Sequence, residues 1–212
     1  MLALSTVGQI DFAVLQATQA LASPALTSAM LALTFLGNPI FWVIAAAAIY
    51  WHGKENESFF LVNLILFTAA VVGALKLAFA RPRPTEPPFK ILAHDSYSSY
   101  SFPSGHSTLI ASAFSYSGKL IERSQWTVFA LAVVLVAFSR LYLGVHFLSD
   151  VVAGVVLGLI IGKANLFARN RLFHRNFRPS KLEEEIALVA LLSLIHISEP
   201  TRPLYISYAV FC

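Results

Sequence analysis

Cysteine and charge are both scarce in this chain of 212 residues. Its single cysteine, Cys212, allows neither an intrachain disulfide nor a cysteine-based metal site. Only 12% of the residues are charged and 57% are hydrophobic, whereas soluble domains carry about 25% charged residues. The composition therefore excludes an ordinary soluble domain and indicates a protein of the membrane class.

The N-terminal residues 1–22 lack the basic start of a secretory signal peptide. Their mild amphipathicity predicts an interfacial or re-entrant helix. Pro24 ends this helix, and residues 25–36 form a second apolar piece that stops at Gly37 and Asn38.

Apolar stretches separated by short polar ones make up the following part of the chain. They predict helices over residues 39–51, 58–80, 104–120, 125–143 and 148–168, with a loop rich in proline, serine and tyrosine over 85–102. At about 20 residues per crossing, this length suits roughly half a dozen spans. The sequence thus predicts an all-α fold, a polytopic transmembrane bundle of about six helices with the interfacial or re-entrant N-terminal helix.

The net charge of +4 is concentrated in a few places. A run of basic residues follows the last predicted span: Lys163, Arg169, Arg171, Arg175, Arg178 and Lys181. Such a run marks the cytoplasmic side of a membrane protein. No nucleic-acid-binding module accompanies the charge, so we expect no nucleic-acid partner.

The remaining charge lies mainly in three short segments, 76–84 (KLAFARPRP), 103–106 (PSGH) and 139–150 (SRLYLGVHFLSD). The first closes a predicted helix, the second opens the next, and the third straddles a later turn. All three therefore emerge on one face of the membrane, opposite the basic tail. If the tail is cytoplasmic, the three segments face outward, as in an integral protein of a bacterial inner membrane.

The histidines in these segments are typical of phosphoryl transfer. His146 and Asp150 are four residues apart and share one face if this stretch is helical. A carboxylate that accepts from one ring nitrogen orients the histidine and stabilises its cation, so that the other nitrogen can attack. His106 is then available to protonate the leaving oxygen and later to activate water.

Cations and a helix start complete the predicted site. Lys76, Arg83 and Arg140 can hold the oxygens of a phosphate, the two arginines in bidentate fashion. Ser104 and Gly105 stand where a helix begins, and exposed amides there suit an anion.

Each of these features also has an ordinary interpretation. A lysine at a helix end commonly snorkels to the interface, and Arg81 and Arg83 between prolines could be a basic interfacial loop. A Pro-Ser-Gly turn starts many helices, and His146 with Asp150 could be a solvated i,i+4 pair. Taken together, on one face and in a membrane where charge is costly, they favour a functional site.

The three segments together resemble the signature of the type-2 phosphatidic acid phosphatase superfamily of integral-membrane lipid phosphatases. That signature is Lys, six residues and Arg-Pro; Pro-Ser-Gly-His; and Ser-Arg, five residues, His, three residues and Asp. Lys76 with Arg83, residues 103–106, and Ser139 and Arg140 with His146 and Asp150 match it in type and spacing.

The resemblance implies a phosphatase that needs neither metal nor other cofactor. His146 would form the phosphohistidine, His106 would act as acid and base, and Asp150 would stand behind His146. The phosphate would be bound by Lys76, Arg83, Ser104, Gly105 and Arg140. The substrate would be a membrane lipid phosphate or polyprenyl diphosphate; undecaprenyl diphosphate, phosphatidylglycerol phosphate and phosphatidic acid all remain open, as does the oligomeric state.

Two alternatives stand beside this interpretation. A non-catalytic membrane protein could bind lipid phosphates through the same cations. A vanadate-dependent haloperoxidase would have a similar oxyanion site, but the composition contradicts the soluble character of that class.

The C-terminal residues 192–212 are unlike the preceding sequence. LSLIHISEPTR (192–202) and ISYAVFC (206–212) look like the in-frame translation of a sequencing-library adaptor. We therefore predict a membrane-embedded phosphatase domain over 1–191 and a non-native tail over 192–212.

Overall fold

The computed structural model of the protein describes residues 6–85, 87–93, 99–117 and 122–173, together with 186 and 189. Helices dominate this part of the chain and no strand occurs in it. They are α1 (Thr6–Gln19), α2 (Pro24–Thr34), α3 (Pro39–Trp51), α4 (Glu55–Phe79), α5 (Gly105–Ser117), α6 (Arg123–Tyr142) and α7 (Leu148–Phe173), with a 3-10 turn (Phe35–Gly37) after α2. The predicted all-α fold is confirmed, whereas the predicted tail 192–212 lies outside the described residues.

Three helices are long and apolar enough to cross a membrane: Glu55–Phe79, Arg123–Tyr142 and Leu148–Arg171. The apolar α3 is shorter, with 13 residues. Helices of this length and apolar character are typical of an integral membrane protein.

The N-terminal helices form a bent pair. Ser23 caps α2 by accepting a hydrogen bond from the Leu26 amide, and Pro24 occupies its first turn. Because the chain turns at these residues, the pair formed by Thr6–Gln19 and Pro24–Gly37 is bent by 119°. Asn38 caps α3 in the same way, by accepting from the Ile40 amide. The capping residues thus explain the breaks that the sequence predicts at 24 and 38.

The helix α5 lies at the centre of the bundle and packs most extensively against α7. Three glycines of α7 allow this close approach, because a side chain at any of them would collide with α5. A Cβ on Gly154 would lie 2.8 Å from the Ser104 carbonyl oxygen, one on Gly158 would lie 2.8 Å from the Ala111 Cβ, and one on Gly162 would lie 2.7 Å from the Ser115 Cβ. Small residues at a spacing of four are typical of close helix contacts in membranes.

The close α5–α7 contact also brings the loops at one end of the bundle together. The Ser104 amide donates to the Asp150 carbonyl over 3.0 Å, joining the starts of α5 and α7. The Ser101 amide donates to the Arg81 carbonyl over 2.8 Å, joining the segment before α5 to the one after α4. We call this end of the molecule the site end.

Candidate active site

The three sequence motifs meet at the site end. The residues predicted from them come from four elements: Lys76 and Arg83 from the end of α4 and the segment after it, Ser104, Gly105 and His106 from the start of α5, Arg140 from the end of α6, and His146 and Asp150 from the α6–α7 turn and the start of α7.

His146 and Asp150 are both buried and lie side by side. The distance from His146 Nδ1 to Asp150 Oδ2 is 3.8 Å, which is an ion-pair distance but too long for a hydrogen bond. The hydroxyl of Ser101 connects the two: it donates to Asp150 Oδ2 over 2.5 Å and lies 3.4 Å from His146 Nδ1. The Asp150 carboxylate therefore faces Nδ1, partly through Ser101.

Asp150 is fully surrounded by donors. Its Oδ2 also accepts from the Phe147 amide over 2.9 Å, and its Oδ1 accepts from Arg81 Nη1 over 2.6 Å. Because buried carboxylates are stable only when their oxygens are satisfied, these donors fix the orientation of the Asp150 carboxylate.

The other ring nitrogen of His146 faces a cation. Nε2 lies 3.2 Å from Arg83 Nη1, and the same Nη1 donates to the Val145 carbonyl over 2.8 Å. The guanidinium is thus held next to the nitrogen that is not turned towards Asp150.

Ser99 holds Arg83 and Lys76 together. Its hydroxyl accepts from Arg83 Nη2 over 3.0 Å and from Lys76 Nζ over 3.1 Å. Its carbonyl accepts from Arg83 Nε over 2.7 Å, and the Tyr100 carbonyl accepts from Lys76 Nζ over 2.6 Å. Two of the predicted phosphate-binding cations, those of Lys76 and Arg83, therefore donate to the same acceptor, the Ser99 hydroxyl.

Arg140 is completely buried. Its Nη1 donates to the Thr34 hydroxyl at the end of α2 over 2.8 Å. The bent N-terminal pair thereby contributes a residue that fixes the third predicted cation.

His106 stands on the first turn of α5. Its Nε2 is buried and has no hydrogen-bond partner among the residues that the structure describes. The 3-10 turn packs directly on it, because a Cβ on Gly37 would lie 2.9 Å from the His106 Cβ. A ring nitrogen that is buried without a partner is available to a substrate oxygen.

Ser104 and Gly105 lie where α5 begins. Ser104 is buried, and its hydroxyl is 3.0 Å from that of Ser107. A Cβ on Gly105 would make only an ordinary contact of 3.7 Å with Val72. Packing therefore does not demand a glycine there, and the missing side chain leaves the start of the helix open.

The electrostatic environment keeps His146 neutral. Burial, first of all, and then the charges of Arg83, Arg140 and Lys76 hold the pKa of His146 well below its usual value of 6.5. A neutral imidazole has the free electron pair that attack on phosphorus requires.

No group of three or more histidine, cysteine, aspartate or glutamate side chains that could hold a metal occurs among the described residues.

A family model described as the PAP2 superfamily matches residues 57–173, more than half of the chain and all three motif segments. The chain belongs to the PAP2 superfamily. The family recognised from the motifs is thereby confirmed.

Several PAP2 relatives are phosphatases by name. Lipid A 4'-phosphatase from Porphyromonas gingivalis is 30% identical over 150 residues, which cover 61% of this chain and 63% of that protein, less than two thirds of its length. Phosphatidylglycerophosphatase B from Bacillus subtilis is 29% identical over 171 residues, which cover 74% of this chain and 82% of that protein. These names agree with the predicted phosphatase class.

Solved structures share the PAP2 fold of this chain. The transmembrane PAP2 type phosphatidylglycerolphosphate phosphatase from Bacillus subtilis superposes with a TM-score of 0.65 at 29% identity, covering 84% of this chain and 90% of that one. Aquifex aeolicus LpxE gives the same TM-score at 22% identity, covering 74% and 94%, a likeness of fold.

Four further polar residues at the site end are not among those that the motifs predict: Asp11, Arg81, Ser99 and Ser101. Arg81 lies inside the first motif segment, where its position between prolines also fits a basic interfacial loop. Asp11 carried a clear signal, because it is the only Asp, Glu, Lys or Arg in the first 53 residues. A lone charge in an apolar segment marks a functional position by default.

Proposed function

We propose that this member of the PAP2 superfamily is a metal-independent phosphatase that hydrolyses a membrane lipid phosphate or polyprenyl diphosphate through a phosphohistidine on His146. The observation that carries the proposal is that the two ring nitrogens of His146 have different surroundings. Nδ1 faces Asp150 and Ser101, which favours a proton on Nδ1, and Nε2 lies 3.2 Å from Arg83. The lone pair of Nε2 is thus directed to the place where Arg83 would hold a phosphate.

The first chemical step would transfer the phosphoryl group to His146. Nε2 attacks phosphorus, a P–N bond forms, and the P–O bond to the lipid breaks. The negative charge of the bound phosphate offsets the surrounding cations and lets His106 carry a proton, which its Nε2, without a protein partner among the described residues, gives to the leaving oxygen. Asp150 stabilises the cationic ring that results.

The second step would release the phosphate. His106, now neutral, takes a proton from a water molecule that attacks phosphorus, and the P–N bond breaks. Charge on the phosphoryl oxygens is offset in both steps by Lys76, Arg83 and Arg140. The Ser104 hydroxyl and the Gly105 amide are further donors, since the Ser104 amide already donates to the Asp150 carbonyl.

The lipid character of the substrate is supported by two observations. The site lies at one end of the helices of an integral membrane protein, and several relatives are named for lipid substrates: lipid A, phosphatidylglycerophosphate and, for a Sulfolobus acidocaldarius protein 27% identical over 137 residues, undecaprenyl diphosphate. We place the site on the outer face of a bacterial inner membrane, with the C-terminus in the cytoplasm, because the basic residues Lys163, Arg169 and Arg171 lie in the C-terminal half of α7, away from the site end.

Phosphate release by the detergent-purified protein tests the proposal. The substrates are a panel of lipid monophosphates and diphosphates, assayed with excess chelator. We expect turnover that survives the chelator and is lost in His146→Ala. The matched control is His52→Ala, since His52 is an exposed histidine in the α3–α4 turn at the other end of the bundle; it should retain wild-type activity.

Two results would contradict the proposal. Turnover by His146→Ala at the wild-type rate would exclude the phosphohistidine. No turnover on any lipid by folded protein would instead favour a membrane protein that only binds lipid phosphates through the same cations.

A further inference from the structure

The N-terminal helix α1 sends a carboxylate into the site. Asp11 is 2% exposed although it belongs to a helix whose other faces are largely exposed. Its Oδ1 accepts from the Ser149 amide over 2.8 Å, and its Oδ2 accepts from the Ser149 hydroxyl over 2.6 Å. A carboxylate is costly to bury unless it is paired, so the fold must supply a cation.

That cation is Arg81, which bridges two carboxylates. Nη2 lies 2.7 Å from Asp11 Oδ2, and Nη1 lies 2.6 Å from Asp150 Oδ1. The guanidinium also stacks over the Phe147 ring, 4.5 Å from its centroid. Arginine suits this place because its planar fork can donate to two acceptors at fixed angles, which an ammonium cannot do.

The bridge reaches the reacting histidine without touching the phosphate position. Asp150 gives one oxygen to Arg81 and turns the other towards Ser101 and His146 Nδ1. Within the described part of the chain, the side-chain polar contacts of Arg81 and Asp11 are to each other, to Asp150 and to Ser149. The two residues can therefore act on His146 only through Asp150 and through their charge.

We infer that Asp11 and Arg81 are positioning residues that fix the orientation and effective charge of Asp150, so that α1 is part of the catalytic unit and not only a membrane anchor. The inference rests on the proposed function for its catalytic meaning. Neutralising Arg81 removes a positive charge, and neutralising Asp11 removes a negative one. The two substitutions should therefore have opposite electrostatic effects on His146.

Each neutralisation has a defined sign at His146. Loss of the positive charge of Arg81 favours the imidazolium and moves the acid limb of kcat/KM to higher pH. Loss of the negative charge of Asp11 disfavours the imidazolium and moves that limb to lower pH. The other charged or titratable groups around His146 stay the same in both variants: Lys76 from α4, Arg83 after α4, His106 from α5, Arg140 from α6 and Asp150 from α7.

The test compares Arg81→Gln and Asp11→Asn in the full-length protein. We expect kcat to fall about tenfold or more in each, with KM for the lipid within about twofold, since neither side chain binds the phosphate. The acid limbs should move apart, by about half a unit or more in each direction. Glu57→Gln is the control: it removes a carboxylate from another arginine pair, with Arg169, at the far end of the bundle, and should shift nothing.

A second readout does not depend on turnover. In protein labelled with ¹⁵N-histidine, the His146 nitrogens should report the tautomer with the proton on Nδ1 at neutral pH, assigned by loss of the signal in His146→Gln. Arg81→Gln and Asp11→Asn should mix the two tautomers, and Glu57→Gln should not. Arg81→Lys keeps the charge but cannot bridge, so it should keep the acid limb and lose kcat.

Folded Arg81→Gln and Asp11→Asn that keep the wild-type tautomer, kcat and pH profile would overturn the inference and leave Asp11 as a simple anchor of α1. Shifts of both acid limbs in one direction would overturn the assigned charge effects. If the wild-type protein turns over no lipid phosphate, the proposed function fails separately, and the tautomer still decides whether the bridge controls His146.

Discussion

At the scale of single residues, the site depends on how one hydroxyl, one carboxylate and one imidazole share protons. His146 and Asp150 are 3.8 Å apart, whereas Ser101 is within hydrogen-bond range of both. A hydroxyl in this place can accept from Nδ1 and donate to the carboxylate at the same time. The serine therefore extends the orienting effect that a histidine–carboxylate pair has when it is in direct contact.

Replacing Ser101 by alanine tests this role. We expect kcat to fall about ten- to hundredfold, because a hydrogen bond to a charged group contributes about 1.5–3 kcal/mol. KM should change little, since the Ser101 side chain has no contact with the phosphate-binding cations. Steady-state kinetics on the preferred lipid measure both constants.

Ser115→Ala is the matched control for this substitution, because the Ser115 hydroxyl donates to the Leu159 carbonyl, away from the site. It should retain the wild-type kcat. An unchanged kcat in Ser101→Ala would show that Asp150 orients His146 without the serine.

The same residues show what the sequence can and cannot predict. The sequence predicts that three site residues lie close together, namely Lys76, His106 and His146. Each is near the end of a predicted helix, and these helix ends emerge on the same membrane face. The sequence does not predict the position of Ser101, because Ser101 belongs to a loop without periodicity. Spacing along such a loop does not indicate which residues share a face. Asp11 was detectable as a lone charge, but its partner Arg81 is separated from it by three helices.

At the scale of helices, the precision of the site depends on the contact between α5 and α7. The helix α5 carries the acid His106, and α7 carries Asp150, which faces the nucleophile His146 from the turn just before α7. The distance between the two axes therefore helps to set the distance between His106 and His146. The three glycines of α7 permit an approach at which any side chain would collide with α5. Their spacing of four is visible in the sequence, but a single sequence does not reveal which helix packs on that face.

Gly158→Ala tests the contact. Its Cβ would come within 2.8 Å of the Ala111 Cβ and 2.9 Å of the Ser112 amide nitrogen, so the helices must separate. Overpacking of this kind costs about 1–3 kcal/mol, which corresponds to a fall in Tm of about 2–10 °C for a protein of this size. Thermal unfolding in detergent measures the shift, and kcat should fall with it.

Gly73→Ala serves as the control, because a Cβ on Gly73 of α4 would meet nothing within 4 Å. It should keep or slightly raise Tm, since alanine favours a helix by about 1 kcal/mol over glycine. Equal Tm values for Gly158→Ala and the wild type would contradict the requirement for a small residue in α7.

At the scale of the whole molecule, the site has to lie at one face of the membrane. Lys76 near the end of α4, His106 at the start of α5 and Arg140 near the end of α6 all belong to the site end. The N-terminal pair also contacts this end, through Asp11 with Arg81 and Thr34 with Arg140. A pair that is bent by 119° and makes these polar contacts at the site end fits the predicted re-entrant or interfacial segment.

This arrangement predicts opposite accessibility for two exposed positions. Thr85 follows the first motif at the site end, and His52 lies in the α3–α4 turn at the other end. In a Cys212→Ser background, Thr85→Cys should react with a membrane-impermeant maleimide added to intact spheroplasts, as the proposed outward-facing site requires. In the proposed orientation the other end of the bundle, with the basic C-terminal half of α7, lies in the cytoplasm, so His52→Cys should react only after the membrane is opened. The reverse pattern would place the site at the cytoplasmic face, and a lipid phosphate made in the inner leaflet would then be the substrate to test.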